Sequence, residues 1–204
     1  MTKRNGRSGD PSEIDKLRRH VRILFDLARI AGQHVDAAHF LGQAVIQVAR
    51  ALEVDHVKLL RYRPKSADLL MEAGLGWKEG VVGAANFPSD MRSPAGRAFR
   101  TAEPVCLTDL ADSPEFVLSP MLAEHGIASL ANVPILMNGA AWGVLEVDSS
   151  TPREFSEDSL AFLGAAAAII GATFAREVAA RGEATALAEA AAQAQYREVL
   201  LREL

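Results

Sequence analysis

A chain of 204 residues holds one well-buried domain plus an extension and is too short for two comfortable domains. Apolar residues at 49% and charged residues at 24% exclude a disordered or fibrous chain, and a net charge of -4 leaves no broad positive field for nucleic acid or anionic lipid. The lone cysteine, Cys106, excludes an intrachain disulfide and a thiolate zinc cluster, and fits a reducing compartment.

Lys3, Arg4 and Arg7 stand among Gly6, Ser8, Gly9 and Pro11, so residues 1–12 read as a flexible terminus. No stretch approaches the roughly 18 uncharged apolar residues expected of a membrane span, and the start lacks the apolar block of a secretion signal, so a cytoplasmic protein is expected.

Ser12, Glu13 and Asp15 open a helix in which Ile14, Leu17, Val21, Leu24, Phe25 and Ala28 recur at helical spacing before Gly32 closes it. Asp36 caps a second helix, with Val35 and Phe40 placed as a hydrophobic staple and Phe40, Leu41, Ala44, Val45, Val48 and Leu52 as its buried stripe. The period then changes. Val54–Tyr62 and Leu69–Leu75 read as an antiparallel hairpin around Pro64, Ser66 and Asp68. Gly76–Arg92 has no sustained period and reads as a long loop, a kind of segment that commonly carries function.

Ser93 and Pro94 start a short helix through Arg100, and Pro104–Leu107 is a third strand. Ser113 and Pro114 repeat that start, which predicts a helix to His125 ended by Gly126. Ser129–Met137 and Ala141–Asp148 are strands joined at Asn138-Gly139, a pair that tolerates positive φ in a tight hairpin turn. Ser156, with Glu157 and Asp158 behind it, caps a last helix predicted to run to the end of the chain, roughly 70 Å at 1.5 Å per residue. Gly182 is a candidate bend, and the Ala, Glu, Gln and Leu beyond it form helix without enough bulk for a core, so this arm needs a partner.

This order of elements resembles the GAF fold, and local motifs agree. Ser93-Pro-Ala-Gly-Arg-Ala-Phe99 and Glu103-Pro-Val-Cys-Leu-Thr-Asp-Leu110 look like the family's small helix and following strand. Gly126-Ile-Ala-Ser129 through Val133-Pro-Ile135, then Trp142-Gly-Val-Leu-Glu-Val-Asp148, look like its central strand pair, and Phe155-Ser-Glu-Asp158 like the opening of its final helix. The resemblance covers about residues 20 to 178. It implies an α+β fold: a central antiparallel sheet of five to six strands, helices on one face, loops and short helices on the other, and a long C-terminal helix. Many members carry Arg where this chain has Ala128, so a ligand contact or salt bridge at that position is not carried over. Tyr196-Arg-Glu-Val-Leu-Leu-Arg-Glu-Leu204 resembles the lead-in to the dimerisation helix of HWE-type and related histidine kinases, where the phosphate-accepting histidine follows almost at once. The implied organisation is a GAF sensory domain over 13–181 and a helical linker over 182–204 leading to a downstream kinase core.

No two of His20, His34, His39, His56 and His125 sit three or four apart on one helix with a Glu between them, and no zinc is expected. The resemblance marks His125, since some GAF sensors hold haem through a histidine in this region; the residue pattern alone makes it a helix-end histidine. Cys106, between Val105 and Leu107, is expected to be a small buried hydrophobe, away from the motif in which bilin-binding relatives carry their linking cysteine. A single thiol also cannot run the exchange cycle of GAF-type methionine sulfoxide reductases. Asp109 and Asp112 suit turns, and no Ser-His-Asp set, phosphate-cradling loop or cyclic-nucleotide signature is present. No catalytic residue and no cofactor are therefore expected.

Trp77, Phe87, Met91, Phe99, Cys106, Phe116, Met121, His125 and Ile127 are the candidate wall of a small-molecule pocket, and they serve equally as core filling. On the last helix, Ala161, Gly164, Ala168, Gly171 and Ala175 form a small-residue stripe beside a bulkier one of Leu160, Leu163, Ala167, Ile170, Phe174 and Val178. The bulky stripe suits the sheet. The small stripe suits a close helix, either the chain's own first helix or a partner copy, with the homodimer through N- and C-terminal helices preferred.

Overall fold

The computed structural model describes residues 11–33 and 36–202, with side chains undescribed at 11, 191, 192 and 194–202. The basic residues Lys3, Arg4 and Arg7, the staple through Val35, His34 and the side chains of the Tyr196–Leu204 motif lie outside it. The elements are α1 (Pro11–Ala31), α2 (Ala37–Leu52), β1 (His56–Arg63), β2 (Asp68–Leu75), β3 (Asn86–Pro88), α3 (Pro94–Thr101), β4 (Val105–Leu107), α4 (Pro120–Glu124), β5 (Ser129–Met137), β6 (Ala140–Ser149) and α5 (Glu157–Arg202). The strands form one six-stranded sheet in the order β3-β2-β1-β6-β5-β4, and each neighbouring pair is antiparallel.

Both faces of this sheet are covered. Alternation sends Val57, Leu59, Leu145 and Val147 to one face, where Leu27 of α1, Phe40 and Val45 of α2, and Leu163 and Ile170 of α5 complete the main core. Leu60, Met71 and Val144 point the other way, against Phe87, Ala98 and Phe99 of β3 and α3. The caps expected from sequence are in place: Asp36 accepts from the Ala38 and His39 amides, Ser93 from Gly96, and Ser156 from Ser159 at 3.3 Å. Asn138 and Gly139 both have positive φ (52° and 80°), the requirement of a type I′ hairpin turn. Near that turn a register shift between Ile135 and Leu136 re-aims Trp142 from the sheet's ladder onto the ring of Phe174, with centroids 4.6 Å apart.

Four expectations need correcting. The helix predicted from Ser113 to His125 exists only as α4: Leu110–Asp112 is a 3-10 turn with Ser113 at its end, and the helix begins at Pro120. Proline lacks the amide a helix interior needs, so Pro120 can only open a helix, and residues 113–119 instead lay Phe116 inward while the Val117 amide donates to the Arg92 carbonyl at 2.7 Å. The long loop contains β3, which pairs with the outer edge of β2. On α1, Ile14, Leu17, Val21 and Phe25 stay exposed (Phe25 by 69%), and the packed face is His20, Ile23, Leu27 and Ala31. Finally, Ser159–Ala175 is uncharged, and α5 over Glu157–Ala190 is long and apolar enough to cross a membrane by length and composition. Here its bulky residues, Phe162, Leu163 and Ile170, fill the core, leaving mainly Ala and Gly outside.

Helix α5 runs unbroken through Gly182, so the arm is continuous with the helix on the sheet. Where α5 crosses β5, Gly171 is buried and a Cβ there would collide with the Leu136 carbonyl oxygen. Gly171 therefore sets the sheet contact and does not belong to an exposed stripe. Gly171→Ala is expected to lose about 1–3 kcal/mol in urea denaturation, whereas Gly42→Ala, in α2 with open space around the added methyl, should gain up to about 1 kcal/mol.

A buried ion cluster as candidate functional site

The face of the sheet under α3, α4 and the 76–92 loop carries charge that no loop brings. Lys58 of β1 and Glu146 of β6 are register partners, and Glu146 is in turn opposite Asn132 of β5, so the three stand in a row across the sheet. All are buried, with Asp148 one step along β6 on the same side. Lys58 Nζ lies 2.6 Å from Glu146 Oε1 and donates to Asp148 Oδ1 and Oδ2 at 2.9 and 3.0 Å. Above it are the ring of Trp77, 4.4 Å from Nζ to centroid, and that of Phe87 at 5.7 Å.

Burial alone lowers the pKa of Lys58, but Asp148 and Glu146 outweigh it and the ammonium is held above its ordinary range. Glu146 goes the other way for a carboxyl: burial, reinforced by Asp148, pushes it well above the usual range despite the attraction of Lys58. Both amide atoms of Asn132 are buried without a partner. A cavity of about 20 Å³, lined by Phe87, Pro94, Leu122, Leu130 and Glu146 among others, lies on this face and has room for about one water. The cavity suits one small polar group beside Glu146, with the ring of Phe87 in its wall.

The residues expected from sequence are partly assembled here. Trp77 donates through Nε1 to the Val57 carbonyl at 2.9 Å, Phe87 and Phe99 are buried, Phe99 stacks on Tyr62 at 4.4 Å, and Met121 packs against the same group. Phe116 and Ile127 belong to an adjoining cluster with Leu107, Leu122 and Leu130, and Phe116 lies 4.0 Å from the Arg97 guanidinium carbon. His125 is half-buried with both nitrogens engaged: Nδ1 donates to the Met121 carbonyl at 2.8 Å, and Nε2 accepts from the Lys78 amide at 3.2 Å.

Two candidates fall outside. Met91 is 48% exposed and contributes its carbonyl, which accepts from Arg97 Nε. Cys106 is exposed, contrary to the expected buried thiol: it alternates with inward-facing Leu107 on a three-residue edge strand and lands on the side left to solvent. Its surroundings still desolvate the thiol enough to raise its pKa. On α5, Ala161, Gly164 and Ala168 are exposed and Ala175 is half-buried; Gly164, Ala168, Ala172 and Ala175 floor a groove of about 570 Å³ beside Pro134 and Leu136. Sequence reasoning missed Lys58, Asn132, Glu146 and Asp148. Their signal is a charged or amide residue between apolar neighbours in a strand buried on both faces.

Lys58→Met leaves two buried carboxylates without their cation and should cost about 3–5 kcal/mol in urea denaturation. At neutral pH Glu146→Gln should cost less than Asp148→Asn, because the raised pKa of Glu146 favours its uncharged form. The sign follows from linkage: the contribution of Glu146 is complete below its unfolded value of 4.5 and is lost as pH rises through the higher folded value. Glu146→Gln should therefore flatten that decline.

The family model described as the GAF domain matches residues 36–174. The GAF domain of a phosphoenolpyruvate-protein phosphotransferase from Coxiella burnetii is similar in structure, with TM-score 0.74, 20% identity and coverage of 81% of this chain and 98% of that one. Free methionine-R-sulfoxide reductase from Neisseria meningitidis, solved with its substrate, superposes with TM-score 0.67 at 19% identity, covering 87% and 99%. The phycoerythrobilin-bound GAF domain of a cyanobacterial phytochrome gives 0.66 at 18%, covering 80% and 98%. These likenesses concern the fold, and no curated protein matches the sequence significantly. With the family model spanning well over half of its length, the chain belongs to the GAF domain family.

Proposed function

We propose that this chain is the sensory part of a signalling histidine kinase: a small molecule or a change of state at the Lys58 face shifts α5, and α5 relays it to a kinase core. One observation carries the reading. Strand β6 is buried on both sides, holding Glu146 and Asp148 toward the polar cluster and Leu145 and Val147 toward the core that α5 completes. Packed helices occupy discrete arrangements, so a change on one face of the strand can bias the other. The kinase assignment rests on the Tyr196–Leu204 motif and the unbroken helix leading to it.

The relay needs a second copy of the chain. Helix α1 runs parallel to the first half of α5, with Lys16 bonded to Ser159 and Arg176 to the Ala31 carbonyl. The exposed seam of Ile14, Leu17, Val21 and Phe25 is continuous along one side of α1, and the exposed Ala161, Gly164 and Ala168 give α5 an uncharged outer face. A two-fold axis along these helices covers bulky and small surfaces together and pairs the arms beyond residue 181. Light scattering over a concentration series should give a dimer, and Val21→Glu with Phe25→Glu should give a folded monomer; a monomeric parent at high micromolar concentration contradicts the arrangement.

The domain itself is non-catalytic in this reading. Cys106 is the chain's one thiol, and its raised pKa disfavours the thiolate that reductase chemistry needs. Purified protein should show zero turnover of oxidised free methionine and no visible absorbance band after supplementation with haem or bilin. The ligand site is tested by a metabolite screen for a raised melting temperature: a hit lost in Asn132→Ala supports it, and no hit leaves dimerisation as the domain's role.

A further inference from the structure

Trp77, the aromatic lid over Lys58, is held between two imidazoles. His56 at the start of β1 and His125 at the end of α4 each lie edge-on to its ring, at 4.9 Å between centroids, and the imidazoles are 5.8 Å from one another. His125 ties two separate segments together, since one nitrogen donates to Met121 of α4 and the other accepts from the Lys78 amide of the loop after β2. An imidazole bonded in this way is neutral. A proton on Nε2 would remove the lone pair that receives the Lys78 N–H and set two donors against each other. His56 has a buried Nδ1 with no hydrogen-bond partner, and the Gly76 backbone beside it offsets only part of the cost that burial sets on a charged ring.

The charged groups around the pair divide. Asp55 adjoins His56 but is exposed, and Asp148, opposite His56 in the sheet register, is already engaged by Lys58. Glu124 lies 3.8 Å from the Lys78 ammonium, with both side chains exposed. Lys58 is buried beside Trp77 and opposes any further cation. No free buried carboxylate is therefore set to receive a charged imidazole among the described residues. Burial, with His125 and Lys58, holds the pKa of His56 below its ordinary value of 6.5.

We infer that His56, Trp77 and His125 form a proton-operated latch: neutral imidazoles lock the 76–92 loop to α4, and protonation frees both segments and uncovers the Lys58–Glu146 face. The inference adds a mode of regulation to the site proposed above and rests on that reading only for its consequence; the latch itself is defined by the loop and α4.

Hydrogen exchange of the full chain, followed by mass spectrometry at about pH 7.5 and about pH 5.5 with exchange times scaled for the intrinsic rate, tests it. Amides in 76–92 and 113–126 should lose protection by at least about tenfold at the lower pH, while β1, β6 and α2 keep theirs. His125→Gln, which offers an acceptor that does not titrate, should abolish the change, and His56→Gln should reduce it; circular dichroism checks that each variant folds. An unchanged wild type, an equal response in both variants, or a loss of protection spread evenly over the chain would overturn the latch. Because no ligand enters the measurement, failure of the metabolite screen would remove the ligand site and leave this result standing.

Discussion

Taking an ammonium out of water costs several kcal/mol unless charge and hydrogen bonds replace its hydration, and Lys58 is fully buried in the middle of a sheet with only Asp148 and Glu146 to supply both. Three consequences follow for the molecule around it. Strands β1 and β6 must be adjacent and in the register that sets Lys58 opposite Glu146. The face must be closed by aromatic rings, which Trp77 and Phe87 provide. The carboxylates must also share one cation, and burial, reinforced by Asp148, raises the pKa of Glu146 against the pull of Lys58, so its charge is the most easily changed quantity in the site.

The opposite face of the same strands follows a different rule. There the contacts are apolar and close: Gly171 lets α5 approach the Leu136 carbonyl, and Trp142, turned out of the ladder by a bulge, stacks on Phe174 further along α5. In the proposed relay, one layer of backbone and the side chains of Leu145 and Val147 separate the charged row from α5. That short path, with the continuous helix beyond it, makes the fold suited to sensing. The enzymatic and chromophore-bearing relatives use the same scaffold, so function lies in the site and not in the fold.

Much of this architecture was legible in the chain. Caps at Asp36, Ser93 and Ser156, the stop at Gly126 and the Asn138-Gly139 turn are local devices, and local devices can be read without tertiary knowledge. The α4 region failed on one residue, Pro120, whose missing amide overrides the helix start signalled by Ser113 and Pro114. The polar cluster was hidden for a deeper reason. Alternation identifies an inner face only when the other face meets water; here both faces are covered, so Lys58, Asn132 and Glu146 occupy positions that read as solvent-facing. Helix α1 deceived in the opposite sense, with two apolar sides and only one of them packed within the chain.

The proposed relay from the Lys58 cluster to α5 is tested most directly by a spin-label distance across the proposed dimer, with the label on Ala180→Cys in a Cys106→Ala background. Glu146→Gln, which replaces a buried titratable group beside Lys58 with an amide of the same shape, should move the distance distribution by about 2 Å or more relative to the parent. Identical distributions in two folded, dimeric proteins would show that the charged row and the helix are uncoupled.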